Sequence, residues 1–279
     1  MSVQKRIVVL IGTGGMGLAA VRRTALGATV VLADFDEARL NAAADDLRVE
    51  GYDVVPQRVD VSKAESVEQL ATDAAALGPV TTVIHTAGLS PVQAPVGAIL
   101  AVDLAGTAIV LDAFGAVIAP GGAGVFIASM AGHMARLAPE LEAKLATTPT
   151  AELLGLAEVA VSAIADAGAA YTLSKRANAL RVRTASLAWG ARGARVNSIS
   201  PGIISTPMGA AELAGPSGDQ MRGMIAGSAT GRIGTPDDIA AAIAFLTGPD
   251  STFITGTDLL VDGGVIASLM TRMVTGQPA

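Results

Sequence analysis

Short apolar runs alternate with stretches of helical periodicity along almost the whole chain. Residues 6–11 form an apolar run that stops at a glycine cluster, and 16–25 then reads as a helix. Residues 28–33 are a second buried strand ending at Asp34, followed by a charged helix over 37–50. A third strand over 53–59, a helix over 66–77 and a fourth strand over 80–85 continue the series. Apolar runs bounded by turn residues suit strands covered on both faces. Strands that alternate with helices imply a parallel sheet with right-handed crossovers.

The pattern extends downstream. A helix from 95 to 111 runs on toward 118, a turn covers 120–124, and a fifth strand covers 124–128. A long helix over 171–190, a sixth strand over 195–199, a helix over 236–246 and a last short strand over 256–261 complete it. Thr235 followed by Pro236 is a plausible helix start. Residues 131–170 break the alternation with a helical run over 139–144, a Thr/Pro break over 147–150 and a second helical run over 151–165. They read as a helical insertion, either a lid over a site or an arm packing toward another subunit. No linker is visible. The expectation is an α/β fold with a doubly wound parallel sheet, a single domain over 1–279 with an insertion at 131–170.

Composition narrows the functional classes. Only 16% of residues are charged against 51% hydrophobic, which suggests that other subunits cover part of the surface. Net charge is −6 with no long basic run, so nucleic acid is not expected as a partner. The absence of cysteine rules out disulfides and thiolate nucleophiles. The first residues lack an apolar signal core, and no uninterrupted apolar span of 18 residues occurs. A soluble cytoplasmic protein with no membrane partner is the expectation. Two histidines and scattered carboxylates give no catalytic metal cluster, so no metal is expected.

Two motifs carry chemistry. Gly12-Thr13-Gly14-Gly15-Met16-Gly17 follows a strand and opens a helix. Gly12, Gly14 and Gly17 have the dinucleotide spacing: a tight turn, backbone approach to pyrophosphate, and close helix–strand packing. The helix start offers unpaired N–H groups to phosphate. Asp34, 22 residues after Gly12, can accept hydrogen bonds from a ribose and would repel a 2′-phosphate. Phe35, not arginine, follows it, which favours NAD over NADP. No lysine follows the loop in the ATPase arrangement. The second motif is Tyr171 with Lys175, four residues apart on one helix face, where the ammonium favours the phenolate.

With these motifs and an ordered set of further segments, the chain resembles the short-chain dehydrogenase/reductase family, apart from the insertion. The resemblance implies a Rossmann-like sheet of about seven strands and a homotetramer or homodimer. Phe126 to Gly132 matches the segment that carries the family's serine, so the resemblance assigns Ser129, with Tyr171 and Lys175, to catalysis, and Tyr171 and Lys175 to cofactor binding as well, Lys175 at the nicotinamide ribose. Asp60-Val61 resembles the pair at the adenine, and Ala87-Gly88 the end of an Asn-Asn-Ala-Gly motif in which His85-Thr86 replaces the asparagines. Pro201, Gly202, Ile204 and Thr206 resemble the loop at the nicotinamide end, with Ile199 nearby. Asn197, Arg232 with Gly234, and Asp262-Gly263-Gly264 match structural positions.

Besides His85-Thr86, the chain departs from the family pattern in three ways. The glycine loop is one residue shorter. Asp103 stands where the asparagine of a proton relay is expected, and its charge alters that relay. Ser129 and Tyr171 lie far apart in sequence, so the insertion must loop out for them to converge. The implied activity is hydride transfer between NAD and a small secondary alcohol or ketone. The pocket, with Leu89, Met130, His133, Met134, Ile203 and the insertion, favours a hydrophobic one. His85 is expected at the sheet edge or in the cofactor cleft. Two other readings stay open: an NAD-binding regulatory protein without turnover, and an NADP-dependent carbonyl reductase.

Overall fold

Seven parallel strands run in the order β3-β2-β1-β4-β5-β6-β7 through a computed structural model that describes residues 5–275. Residues 1–4 and 276–279, assigned above to the same domain, lie outside the described residues. The strands are β1 (Ile7–Ile11), β2 (Thr29–Asp34), β3 (Asp53–Arg58), β4 (Val80–His85), β5 (Ile118–Ile127), β6 (Arg195–Pro201) and β7 (Asp258–Val261). Because β1 lies between β2 and β4, the chain reverses its direction of sheet building there. A crevice opens beyond the C-terminal ends of β1 and β4 at that switch point.

Helices α1 (Gly15–Thr24), α2 (Glu37–Val49) and α11 (Pro236–Thr247) cover one face. Helices α3 (Ala64–Leu77), α5 (Thr107–Val117) and α8 (Ala167–Ala191) cover the other. On that second face Trp189 packs edge-on to Phe126 at 6.2 Å and donates its indole N–H to the Leu111 carbonyl. Gly124 leaves the space its six-membered ring fills, since a Cβ there would meet it at 2.6 Å. Thr235 caps α11 in a capping box with Asp238, as the sequence suggested.

The rod from α4 (Val96–Ile99) through a π-helical segment (Leu100–Gly106) into α5 is continuous. By length and composition it could cross a membrane, but more than half of it is buried inside the protein. The expected turn at 120–124 is instead a bulge within β5: the register shifts between Val80↔Ile118 and Thr82↔Ala123, with Gly121 at φ +78°.

The insertion loops out. After α6 (Met130–Met134) come α7 (Pro139–Thr147) and three short 3₁₀ turns over Thr150–Gly155, Ala157–Val159 and Val161–Ala163. The expected helix over 151–165 does not form, because extended residues at Leu156 and Ala160 separate the turns. Leu145, Leu153 and Val159 bury themselves against Ile99, Leu104 and Leu173. Arg181 of α8 holds the insertion by donating to the carbonyls of Leu145 and Thr148 and to the Thr150 hydroxyl. Four helices went unrecognised in the sequence: α6, α9 (Pro207–Ala214), α10 (Gly218–Ala226) and α12 (Val265–Thr275).

Candidate active site

The glycine loop is shaped as its spacing requires. Gly12 has φ +97°, a left-handed conformation, and a Cβ there would strike the Ala87 backbone nitrogen at 2.5 Å. A Cβ on Gly17 would meet the Gly12 carbonyl at 2.7 Å, so α1 can lie close to β1 only with glycine. Gly14, the residue before α1, faces open space, which leaves room for a phosphate against Gly15 and Met16 at the helix start. The Thr86 hydroxyl donates to the Gly12 carbonyl at 2.8 Å and ties the end of β4 to the loop.

Asp34 closes the other side of the crevice. Burial alone would push its carboxyl up, but donors outweigh it and hold it below the usual range. Thr13 gives its backbone N–H and its hydroxyl to Oδ2, each at 2.7 Å, and Asp36 N–H and Arg39 Nη2 go to Oδ1. Those four donors occupy the lone-pair directions of a carboxylate. Arg39, on the exposed side, is the one a ribose could displace. Sequence reasoning missed this arginine because it is five residues away across the start of α2. Phe35 is exposed and lies under the Arg58 guanidinium, 4.8 Å from its ring centre. Asp60 accepts from the backbone and hydroxyl of Ser62, while Val61 is buried against Gly106.

The three chemical side chains converge. Ser129 is the N-cap of α6 and accepts from Ala131 N–H at 3.2 Å. Gly132 lets α6 approach α8, since a Cβ there would touch the Lys175–Arg176 backbone at 2.9 Å. That close contact brings Ser129 to the Tyr171 phenol across the outlooped insertion, and the serine hydroxyl favours the phenolate. Lys175 is buried, with Nζ 5.4 Å from the Tyr171 ring centre and 3.4 Å from the Ile127 carbonyl.

The expected lowering of the tyrosine does not emerge from these residues alone. Burial, then the charges of Asp103 and Glu212, outweigh Ser129 and raise the phenol above its ordinary range. Asp103 sits on the π-helical segment, fully buried behind Gly88. Its Oδ1 accepts from Leu89 N–H at 2.8 Å, its Oδ2 has no partner, and burial raises its pKa against the pull of Lys175.

Both histidines correct the expectations. His85 is buried in the middle of the sheet, not at an edge or in the cleft, and burial, then Lys175, pushes it down to about 3. His133 is taken up by Asp258 at 2.7 Å and does not reach the cavity. Ile199 is a core residue beneath the site.

A cavity of about 300 Å³ opens beside these groups. Ser129, Tyr171 and Lys175 form one wall, and Thr86, Gly88, Pro201, Gly202, Ile204 and Thr206 line its nucleotide side. Leu89, Met130, Met134 and Ile203 line it as expected; of the 131–170 insertion only Ala131 and Met134 do, so its looped-out part, 135–170, is not a lid over this cavity. Gly12, Gly14, Gly15, Gly17, Asp34, Phe35, Asp60, Val61 and Ala87 lie outside that cavity, along the crevice at the strand ends. The opposite wall comes from α9 and α10, including Met208, Glu212, Met221 and Met224. Pro207 after a capping threonine and the 221/224 spacing were the signals for that wall.

Comparison with known proteins gives the same picture over most of the chain. Residues 5–139 match the family model described as short chain dehydrogenase, and 133–266 the one described as enoyl-(acyl carrier protein) reductase. The chain is 41% identical to a short-chain dehydrogenase/reductase, bsc3, of Alternaria brassicicola, over 94% of this chain and 96% of that one. It is 30% identical to a galactitol 2-dehydrogenase (L-tagatose-forming) of Cereibacter sphaeroides, over 90% of each. A crystal structure of a dehydrogenase/reductase from Sinorhizobium meliloti, 26% identical, superposes with a TM-score of 0.73 and covers 95% of this chain and 96% of that one. With a glycine-loop crevice, a Ser–Tyr–Lys wall and full-length relatives, this chain belongs to the short-chain dehydrogenase/reductase family of nicotinamide-dependent oxidoreductases.

Proposed function

We propose that this protein interconverts a secondary alcohol and its ketone, with NAD as the preferred cofactor and an apolar body on the substrate. The observation that carries the reading is the shared cavity: Ser129, Tyr171 and Lys175 face a wall of methionine and aliphatic side chains, beside a glycine loop shaped for a dinucleotide. The loop around Gly12, Gly14 and Gly17 would hold the pyrophosphate, Asp34 the adenosine ribose, and Asp60-Val61 the adenine. Pro201, Gly202, Ile204 and Thr206 would hold the nicotinamide end. When bound, the nicotinamide supplies or takes up the hydride.

The chain's own groups handle the proton and the oxygen. Ser129 Oγ holds the substrate oxygen and supports the charge that develops there. Tyr171 gives its phenolic proton to a ketone oxygen, or takes one from an alcohol. Burial keeps the phenol protonated in the free site. Lys175, buried against the Ile127 carbonyl, supplies the positive charge that steadies a phenolate in the oxidative direction. Asp103 acts behind Lys175 as a positioning and charge-setting group. The aliphatic walls exclude water from the reacting carbon.

NAD preference rests on the ionised Asp34, which repels a 2′-phosphate. Arg39, 3.1 Å from that carboxylate, favours the second reading, an NADP-dependent reductase. Dissociation constants for the two cofactors decide between them. NAD is expected to bind at least about tenfold more tightly, about 1.4 kcal/mol. Tighter binding of NADP overturns the NAD assignment.

A further inference from the structure

Glu212 stands opposite the catalytic wall in a place where local physics disfavours a carboxylate twice. It lies in the last turn of α9, where a negative charge opposes the helix dipole. It also lines the cavity among Met208, Met221 and Met224, on a wall where Ser217 and Gln220 are the other polar side chains. Burial is the cause that raises its pKa, and no donor or cation among the described residues offsets it. The nearest arginine in sequence, Arg222, is committed to Asp219 and the Leu213 carbonyl. Glu212 and Tyr171 line the same cavity, and the carboxylate's charge opposes the phenolate. A half-buried charge without a partner is costly, and departures of this kind concentrate at functional or strained sites.

We propose that Glu212 is a substrate-recognition residue. It accepts a hydrogen bond from a donor group, a hydroxyl or a protonated amine, at the end of the substrate remote from the reacting carbon, and it turns away anionic substrates. The cavity then selects an alcohol or ketone with an apolar middle and a hydrogen-bond donor at its far end. This inference rests on the oxidoreductase reading of the same cavity.

The test compares kcat/KM for 1-phenylethanol and its para-hydroxymethyl, para-aminomethyl and para-carboxyl derivatives in wild type and Glu212→Gln, with the cofactor that supports turnover. Wild type is expected to favour the hydroxymethyl or aminomethyl compound over the parent alcohol and to disfavour the carboxyl compound. Which of the first two leads identifies the donor. In Glu212→Gln the preference for the leading donor compound over the carboxyl compound falls by about tenfold or more. The variant's melting temperature is expected to equal or exceed wild type, because an unpaired charge is removed. An unchanged preference overturns the proposal and leaves the oxidoreductase reading standing. A melting temperature several degrees lower, with preference unchanged, assigns Glu212 a structural role and also overturns it. Wild-type inactivity on all four alcohols overturns the parent reading and the proposal together.

Discussion

The buried Asp103 charge opposes the Tyr171 phenolate and is itself drawn on by Lys175, and one substitution reads both effects. Burial makes the folded chain hold the Asp103 proton more tightly than the unfolded chain does. Its contribution to stability is therefore fully present below the ordinary carboxylate pKa of about 4 and is lost as pH rises through the raised folded value. Asp103→Asn keeps an oxygen for the Leu89 N–H and removes the titration. The melting temperature of the variant relative to wild type is predicted to be higher near pH 8 than near pH 4. The same change removes a charge that raises Tyr171, so the rising limb of the alcohol-oxidation profile moves to lower pH by up to about one unit, or about 1.4 kcal/mol. A limb that moves to higher pH contradicts this account. At this scale the sequence showed which residue was unusual but not its setting. Asp103 was visible as a departure, whereas its unpartnered Oδ2 depends on a π-helical turn that no periodicity announces. His133 looked like a pocket group because its partner, Asp258, is 125 residues away.

The insertion shows why element identity was easier to read than element role. Its leucines and alanines suggested helices, but packing decided the outcome: 3₁₀ turns place Leu153 and Val159 onto the α4–α5 rod and α8. Arg181 is the residue that fastens it, through three hydrogen bonds from a side chain that burial, opposed by Asp112, already discourages from carrying charge. Arg181→Ala is predicted to lose about 2 kcal/mol in urea unfolding, since charged hydrogen bonds are removed and carbonyls are left unpaired. Proteolysis within 139–165 should become faster, with KM nearly unchanged because no residue of 135–170 lines the cavity. A large rise in KM with stability unaffected would restore the lid. The helices over 207–226 were missed because they are short and partly exposed, and their apolar residues face a cavity instead of the sheet.

For the whole molecule, the alternation of buried strands and helices carried the fold, because both faces of a parallel sheet must be covered and the chain writes that need into every apolar run. The nucleotide crevice was legible for a related reason. Gly12 and Gly17 are required by close backbone approaches, which leave a sequence mark. The substrate cavity was less legible. Its walls join residues 86–92, 127–134, 171–175 and 201–224, and only folding brings Glu212 across from Tyr171. The central claim is that Ser129, Tyr171 and Lys175 serve one proton transfer beside a nicotinamide. Its most direct test is the absorbance of reduced nicotinamide during turnover of a hydrophobic secondary alcohol by wild type and Tyr171→Phe, with cofactor affinity measured for both by calorimetry. The account predicts wild-type turnover, and in Tyr171→Phe a kcat lower by about 100- to 10,000-fold with cofactor still bound. Equal turnover in the two proteins, or tight cofactor binding by wild type with no turnover of any alcohol or ketone, would contradict it.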